Sequence, residues 1–128
     1  MSKPTVAIVG ASNNRSKFGN KAVRAHIKQG YEVYPVNPKE EMIEGLKCYS
    51  SLNDLPVDHL TRISIYVPPT AGIGLLEKIQ KLNVDEVWFN PGSESLEILT
   101  RAEELGIDII QACSIVDLGV SPASFPEN

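Results

Sequence analysis

The stretch Thr5-Val-Ala-Ile-Val-Gly-Ala-Ser12 decides the fold. Residues 5–9 are an unbroken apolar, β-branched run, which reads as a short strand buried on both faces. Gly10 stops the run; a glycine there allows a tight turn and lets backbone come close to a ligand. Beyond the turn, Phe18, Ala22, Val23 and Ile27 recur at helical spacing and end before Gly30. A second strand pattern follows at Tyr31-Glu-Val-Tyr-Pro-Val36 and is broken by Asn37-Pro38. Strand, helix, strand is the opening unit of a parallel α/β sheet.

The rest of the chain repeats that alternation. Residues 39–61 are less regular, with a short strand expected near Lys47 to Tyr49 and a helical turn near Ser51 to Leu55. Ile63 to Val67 reads as a strand ended by Pro68-Pro69, and Ile73, Leu75, Leu76, Ile79 and Leu82 as one helix stripe. Glu86 to Asn90 is the next strand, closed by Pro91-Gly92. Ser93 or Ser95 then caps a helix that presents Leu96, Leu99, Ala102 and Leu105 inward and stops at Gly106. Ile107 to Ile110 is the last core strand, and the tail from Ser114 carries turn formers at Gly119 and Ser121-Pro122. The expectation is an α/β, three-layer, Rossmann-like fold. Its mostly parallel open sheet would have five to six strands, with helices on both faces. At 128 residues the chain, 1–128, is expected to be one domain.

Composition narrows the function. A hydrophobic fraction of 42% with 22% charged residues is that of a soluble globular protein, and no apolar run reaches the ~20 residues that span a bilayer. The start Met1-Ser2-Lys3-Pro4 has no secretory pattern, so a cytoplasmic location is expected. Two cysteines, Cys48 and Cys113, and two histidines, His26 and His59, sit at no metal-ligand spacing, and the cysteines read as reduced thiols. His26 is expected to face solvent on the first helix. The net charge of −4 conceals an asymmetry: residues 1–31 carry six basic residues and no acid. Local attraction for an anionic small molecule follows, whereas the overall acidity argues against nucleic acid as a partner.

In open parallel sheets ligands bind beyond the carboxyl ends of the strands. Gly10-Ala11-Ser12 is the foremost such end. The next helix would aim its N-terminal amides there, Ser12 adds a hydroxyl, and Arg15 and Lys17 add cations for a phosphate. A dinucleotide fingerprint would need glycines where Ser12 and Arg15 stand, and an acid where Asn37 stands. NAD is therefore disfavoured. NADP and coenzyme A (CoA) each carry an additional ribose phosphate suited to Arg15 and Lys17. Cys113, just past the last strand, reads either as a buried inert thiol or as a thiol facing the ligand.

Three stretches, Val6 to Ser12, Gly30-Tyr-Glu-Val-Tyr-Pro-Val-Asn-Pro38 and Tyr49-Ser-Ser-Leu52, resemble the small stand-alone CoA-binding domain family. That family is similar to the N-terminal CoA-binding domain of the succinyl-CoA synthetase alpha subunit, which Ile65-Tyr-Val-Pro-Pro69 also resembles. The resemblance runs from about Pro4 to Ile115. It implies that Gly10, Ala11 and Ser12 contact the CoA phosphates, and that Asn37, Pro38 and Lys39 lie near the adenosine. Val67, Pro68 and Pro69 would wall the adenine or pyrophosphate, and Phe89 and Asn90 would border the pantetheine arm. Trp88-Phe-Asn-Pro-Gly92 looks like the family's Trp-x-Gln-x-Gly with Asn90 in place of the glutamine. The implied function is binding of CoA or an acyl-CoA without a catalytic apparatus. The alternative is an NADP-dependent, oxidoreductase-like nucleotide-binding domain. A homodimer, through Trp88 or the tail, or another protein partner is compatible with either.

Overall fold

The computed structural model describes residues 3–127. Five strands form one parallel sheet: β1 (Thr5–Val9), β2 (Glu32–Val36), β5 (Leu60–Ile65), β6 (Val84–Phe89) and β7 (Ile109–Ile110). Two short strands, β3 (Met42–Ile43) and β4 (Leu46–Lys47), make a separate antiparallel hairpin beside β2. The order across the main sheet is β2-β1-β5-β6-β7. The chain leaves β1 for β2 on one side and returns to β5 on the other. The switch point of the sheet therefore lies between the carboxyl ends of β1 and β5.

Residues of β1 alternate between the two faces, as the strand period demands. Val6 and Ile8 pack with Ala22, Val23 and Ala25 of α1 (Phe18–Lys28), and with Ile115 of α5 (Ser114–Asp117). Ala7 and Val9 pack on the opposite face with Leu76 and Ile79 of α3 (Leu76–Gln80) and Ile98 and Ala102 of α4 (Leu96–Leu105). Helices thus cover both faces, giving the three-layer α/β architecture.

Several local expectations are corrected. The stripe from Ile73 to Leu82 is not one helix. It is α2 (Pro69–Gly72), a 3₁₀ turn at Ile73–Leu75, and α3. Gly72 and Gly74 weaken continuous helix here, and Gly72 has Phe89 and Ile98 immediately against it. The strand expected at 63–67 runs instead from Leu60 to Ile65, leaving Tyr66 and Val67 beyond the sheet, and the last strand keeps only Ile109–Ile110. Ser95, not Ser93, caps α4: its side chain accepts from the Ile98 amide. That frame puts Ile98 and Ala102 in the core and leaves Leu96, at the first helical position, 79% exposed. His26, expected in solvent, is fully buried because the tail and Tyr31 close over that side of α1.

Candidate functional site

Gly10 leaves β1 with φ +88°, a left-handed conformation that favours glycine. Any Cβ there would also press on Val67 Cγ1 at 3.0 Å and on the Tyr66 carbonyl carbon at 3.1 Å. The Gly10 amide donates to the Val36 carbonyl, 3.1 Å, which ties the turn to the end of β2. Two asparagine side chains then hold the loop. Asn37 Nδ2 donates to the Ala11 carbonyl at 2.8 Å, and Asn20 Nδ2 to the Ser12 carbonyl at 2.9 Å. Ser12 Oγ accepts from the Asn14 amide at 3.0 Å. The amides of Ser12 and Asn13 donate to no protein acceptor among the described residues. The first turn of α1 carries no side-chain cap, and Lys17, Phe18 and Gly19 line the same space. An uncapped helix start beside unpaired loop amides favours an anion.

This space is a cavity of about 760 Å³ at the switch point. Gly10, Ala11, Ser12 and Lys17 bound one side, with Asn37 beside them; Tyr66, Val67 and Pro68 follow β5, Asn90 to Ser93 follow β6, and Cys113 follows β7. Lys17 is the one cation among the lining residues, and no ion pair holds it among the described residues. Arg15 lies outside the lining. Its guanidinium faces Glu44, with Nε 3.4 Å from Oε2. Most of the remaining basic segment is also committed to the fold: Lys21 pairs with Glu127 at 2.8 Å, and Arg24 bonds Asn20 and the Arg15 carbonyl.

The other implied residues separate into two groups. Pro38 and Lys39 are exposed and stand outside the lining, the Lys39 amide donating to Asn37 Oδ1. Pro69 opens α2 and is not in the lining either. Phe89 is fully buried on the α3–α4 face, so its ring belongs to the core and not to the cavity. Asn90, which borders the cavity, is 1% exposed and fully engaged. It donates to Ser64 Oγ (2.8 Å) and to the Ile65 carbonyl (2.9 Å), and accepts from the Ser114 amide (2.8 Å). Ser114 Oγ lies 2.7 Å from Ser64 Oγ and 3.1 Å from the Tyr66 hydroxyl. Burial pushes the Tyr66 phenol up to about 12, so it is protonated at neutral pH. Cys113 is half-buried and borders the cavity. Trp88 is 6% exposed, its ring stacked on the Arg62 guanidinium.

Sequence reasoning missed Gly19, Asn20, Tyr66 and Ser114. Gly19 lies nine residues after Gly10, beyond the reach of the dinucleotide fingerprint, yet a Cβ on it would collide with the Gly10 carbonyl oxygen. It permits the close approach of helix to turn that such fingerprints use a glycine for. The signal available was a glycine in the first turn of a helix, where propensity disfavours one.

The profile of the CoA binding domain family matches residues 4–119. This chain belongs to that family. Among curated relatives, it is 42% identical over 53 residues to the alpha subunit of an ADP-forming acetate–CoA ligase II of Pyrococcus furiosus, covering 40% of this chain. It is 37% identical over 81 residues to an ADP-forming acetate–CoA ligase of Methanocaldococcus jannaschii, covering 62%. In both cases the match spans only 11% of the ligase chain. A solved structure of a conserved hypothetical protein from Pyrococcus furiosus superimposes with a TM-score of 0.80 at 38% identity, covering 89% of this chain and 98% of that one. As a CoA-binding domain family member, the chain shares its whole fold with a small protein and a fraction of its length with ligase subunits. Among the described residues, no helix is long and apolar enough to cross a membrane.

Proposed function

We propose that this domain binds CoA or an acyl-CoA in the switch-point cavity, with no catalytic apparatus of its own. The observation that carries the reading is the division of that cavity. Its β1 side offers the Ser12 amide, the start of α1 and Lys17, which together suit a phosphate. Its β5–β7 side offers Val67, Pro68, Pro91 and Cys113, a largely uncharged passage suited to a neutral arm ending in sulfur. The end of β2 carries Asn37, whose amide is spent on the Ala11 carbonyl, where an NAD site would place a carboxylate. The described lining residues include neither carboxylate nor imidazole, which supports binding and presentation of a cofactor over acid–base chemistry. The relatives' printed names, acetate–CoA ligases, support the same ligand class.

Titration calorimetry with CoA, NADP and ATP, paired with thermal unfolding, tests the reading. CoA at 100 times its dissociation constant should stabilise the fold by about 2.7 kcal/mol. For a chain of this size that corresponds to a rise of several degrees in Tm. Absence of CoA binding, or tighter binding of NADP, overturns it.

A further inference from the structure

The tip of the β3–β4 hairpin breaks a local rule. Ile43 pairs with Leu46, so Glu44 and Gly45 make a two-residue turn, and both have positive φ, +50° and +79°. Such a turn favours asparagine or glycine at its first position, because a longer side chain strains the left-handed backbone. The turn itself therefore gives no reason for a glutamate. Strain of this kind persists where the surrounding structure needs one side chain in one place.

The Glu44 carboxylate reaches the first loop. Its Oε2 accepts from Asn20 Nδ2 at 3.0 Å, and its Oε1 lies 3.5 Å from Arg15 Nη2. Asn20 is fully buried; Nδ2 also donates to the Ser12 carbonyl at 2.9 Å, and Oδ1 accepts from Arg24 Nε at 2.7 Å. These roles are unambiguous, because a carbonyl or carboxylate oxygen only accepts and a guanidinium only donates. Arg24 Nη2 then donates to the Arg15 carbonyl at 3.0 Å. One carboxylate, one amide and two guanidiniums thus close a ring around residues 12–15. The Ser12 carbonyl and the Asn13 amide belong to one planar trans peptide, so they point in opposite directions. Holding the carbonyl on Asn20 therefore fixes the direction of the Asn13 N–H.

We propose that Glu44 is a positioning residue for anion binding at the first loop. By holding Asn20 it sets the plane of the Ser12–Asn13 peptide and keeps the loop amides arranged for a phosphate oxygen. The proposal rests on the CoA reading above; Glu44, Asn20 and Arg24 all stand outside the cavity lining. Charge alone predicts the opposite sign: a carboxylate near the loop repels a phosphate, so its removal should tighten binding.

Glu44→Asn separates these effects. It gives the turn the asparagine–glycine pair that it favours, while its side chain, one methylene shorter, draws back from Asn20. Glu44→Gln keeps the reach and an oxygen that accepts from Asn20. Calorimetry with CoA and thermal unfolding are run on the wild type and both variants. Glu44→Asn should lose about tenfold in CoA affinity, with a Tm equal to or above that of the wild type. Glu44→Gln should retain most of the affinity. Unchanged or tighter binding by Glu44→Asn overturns the proposal. So does lost affinity accompanied by a lower Tm, which is what a merely structural role gives. Equal losses in the two variants overturn the route through Asn20. Failure of the wild type to bind CoA at all instead sinks the cofactor reading beneath it.

Discussion

Gly19 packs so closely under Gly10 that a Cβ on Gly19 would fall inside the van der Waals contact distance of the Gly10 carbonyl oxygen. The atom in the way is backbone, so no side-chain rotation can relieve it. Gly19→Ala must therefore move either the turn after β1 or the start of α1. The expected cost is about 1–3 kcal/mol of stability, together with weaker CoA binding, since the displaced amides are those offered to the phosphate. Denaturant unfolding and calorimetry on the same variant check both. Gly74→Ala is the comparison, with open space around its position; it should cost well under 1 kcal/mol.

Lys17 and Arg15, equivalent by sequence, should behave differently. Lys17 lines the cavity without an ion pair among the described residues, while Arg15 faces Glu44 outside it. Lys17→Ala should weaken CoA binding about tenfold at low salt, and by less as ionic strength rises. Arg15→Ala should have the smaller effect, acting through the placement of Glu44 and Arg24. Ser12→Glu, which places a carboxylate beside the loop amides, should abolish most of the affinity. Titrations at two salt concentrations separate these outcomes. Equal losses for Lys17→Ala and Arg15→Ala would remove the distinction drawn here.

The contrast shows which parts of this protein a sequence can reveal. The sheet was legible because β1 and the later residues of β2 and β6 are apolar and each is followed closely by glycine or proline, and those signals are local. The switch-point cavity was legible because it follows from strand order and the Gly10 turn. Side-chain commitments were not. Glu44, which engages Arg15, sits at φ +50° in the turn of the β3–β4 hairpin, and nothing in its spacing announces that it reaches the first loop. Phe89 and Asn90 are neighbours in sequence, but the strand period sends one to the core and the other to the cavity rim. Leu96 was assigned inward from the spacing of Leu96, Leu99, Ala102 and Leu105, but the helix turns Ile98 and Ala102 to the core and leaves Leu96, on the opposite side from Ile98 at the first turn, exposed.

His26 gives a pH dependence. Burial is the main cause that pulls its imidazole down to about 4; the adjacent Arg62 adds to that, while its hydrogen bond to the Ala22 carbonyl and the nearby Asp117 oppose it. Nδ1 lies 2.7 Å from the Ala22 carbonyl, so Nδ1 carries the proton and Nε2 is bare and buried. The unfolded chain titrates near the ordinary value of 6.5. As pH falls below 6.5 the unfolded state binds a proton that the folded state refuses, so stability declines between about pH 6.5 and 4 and is unaffected by this group above that window. The loss is on the order of 3 kcal/mol by pH 4. His26→Leu should flatten that part of the stability–pH curve relative to the wild type. Parallel curves for the two proteins would show that His26 does not contribute.

Arg62 allows an ordering of variants to be predicted. Its guanidinium lies between the rings of Tyr31 and Trp88, at 5.3 and 4.8 Å, with a side chain only 5% exposed. Glu86 and Asp117 hold Nη2 at 3.0 and 2.9 Å, but both carboxylates are far more exposed, at 38% and 44%. Nε and Nη1 have no hydrogen-bond partner among the described residues, and the guanidinium rests against the aromatic faces. Removing the cation leaves two carboxylates that water can solvate. Removing both carboxylates leaves a buried cation with only ring faces to compensate it, the more costly outcome. The double variant Glu86→Ala/Asp117→Ala should therefore be less stable than Arg62→Met, by about 1–2 kcal/mol once the partial exposure of the acids is allowed for. Denaturant midpoints with unchanged slopes measure the difference. If Arg62→Met proves the less stable protein, the stacked guanidinium contributes more through its contacts with Tyr31 and Trp88 than through charge, and the ordering argued here is reversed.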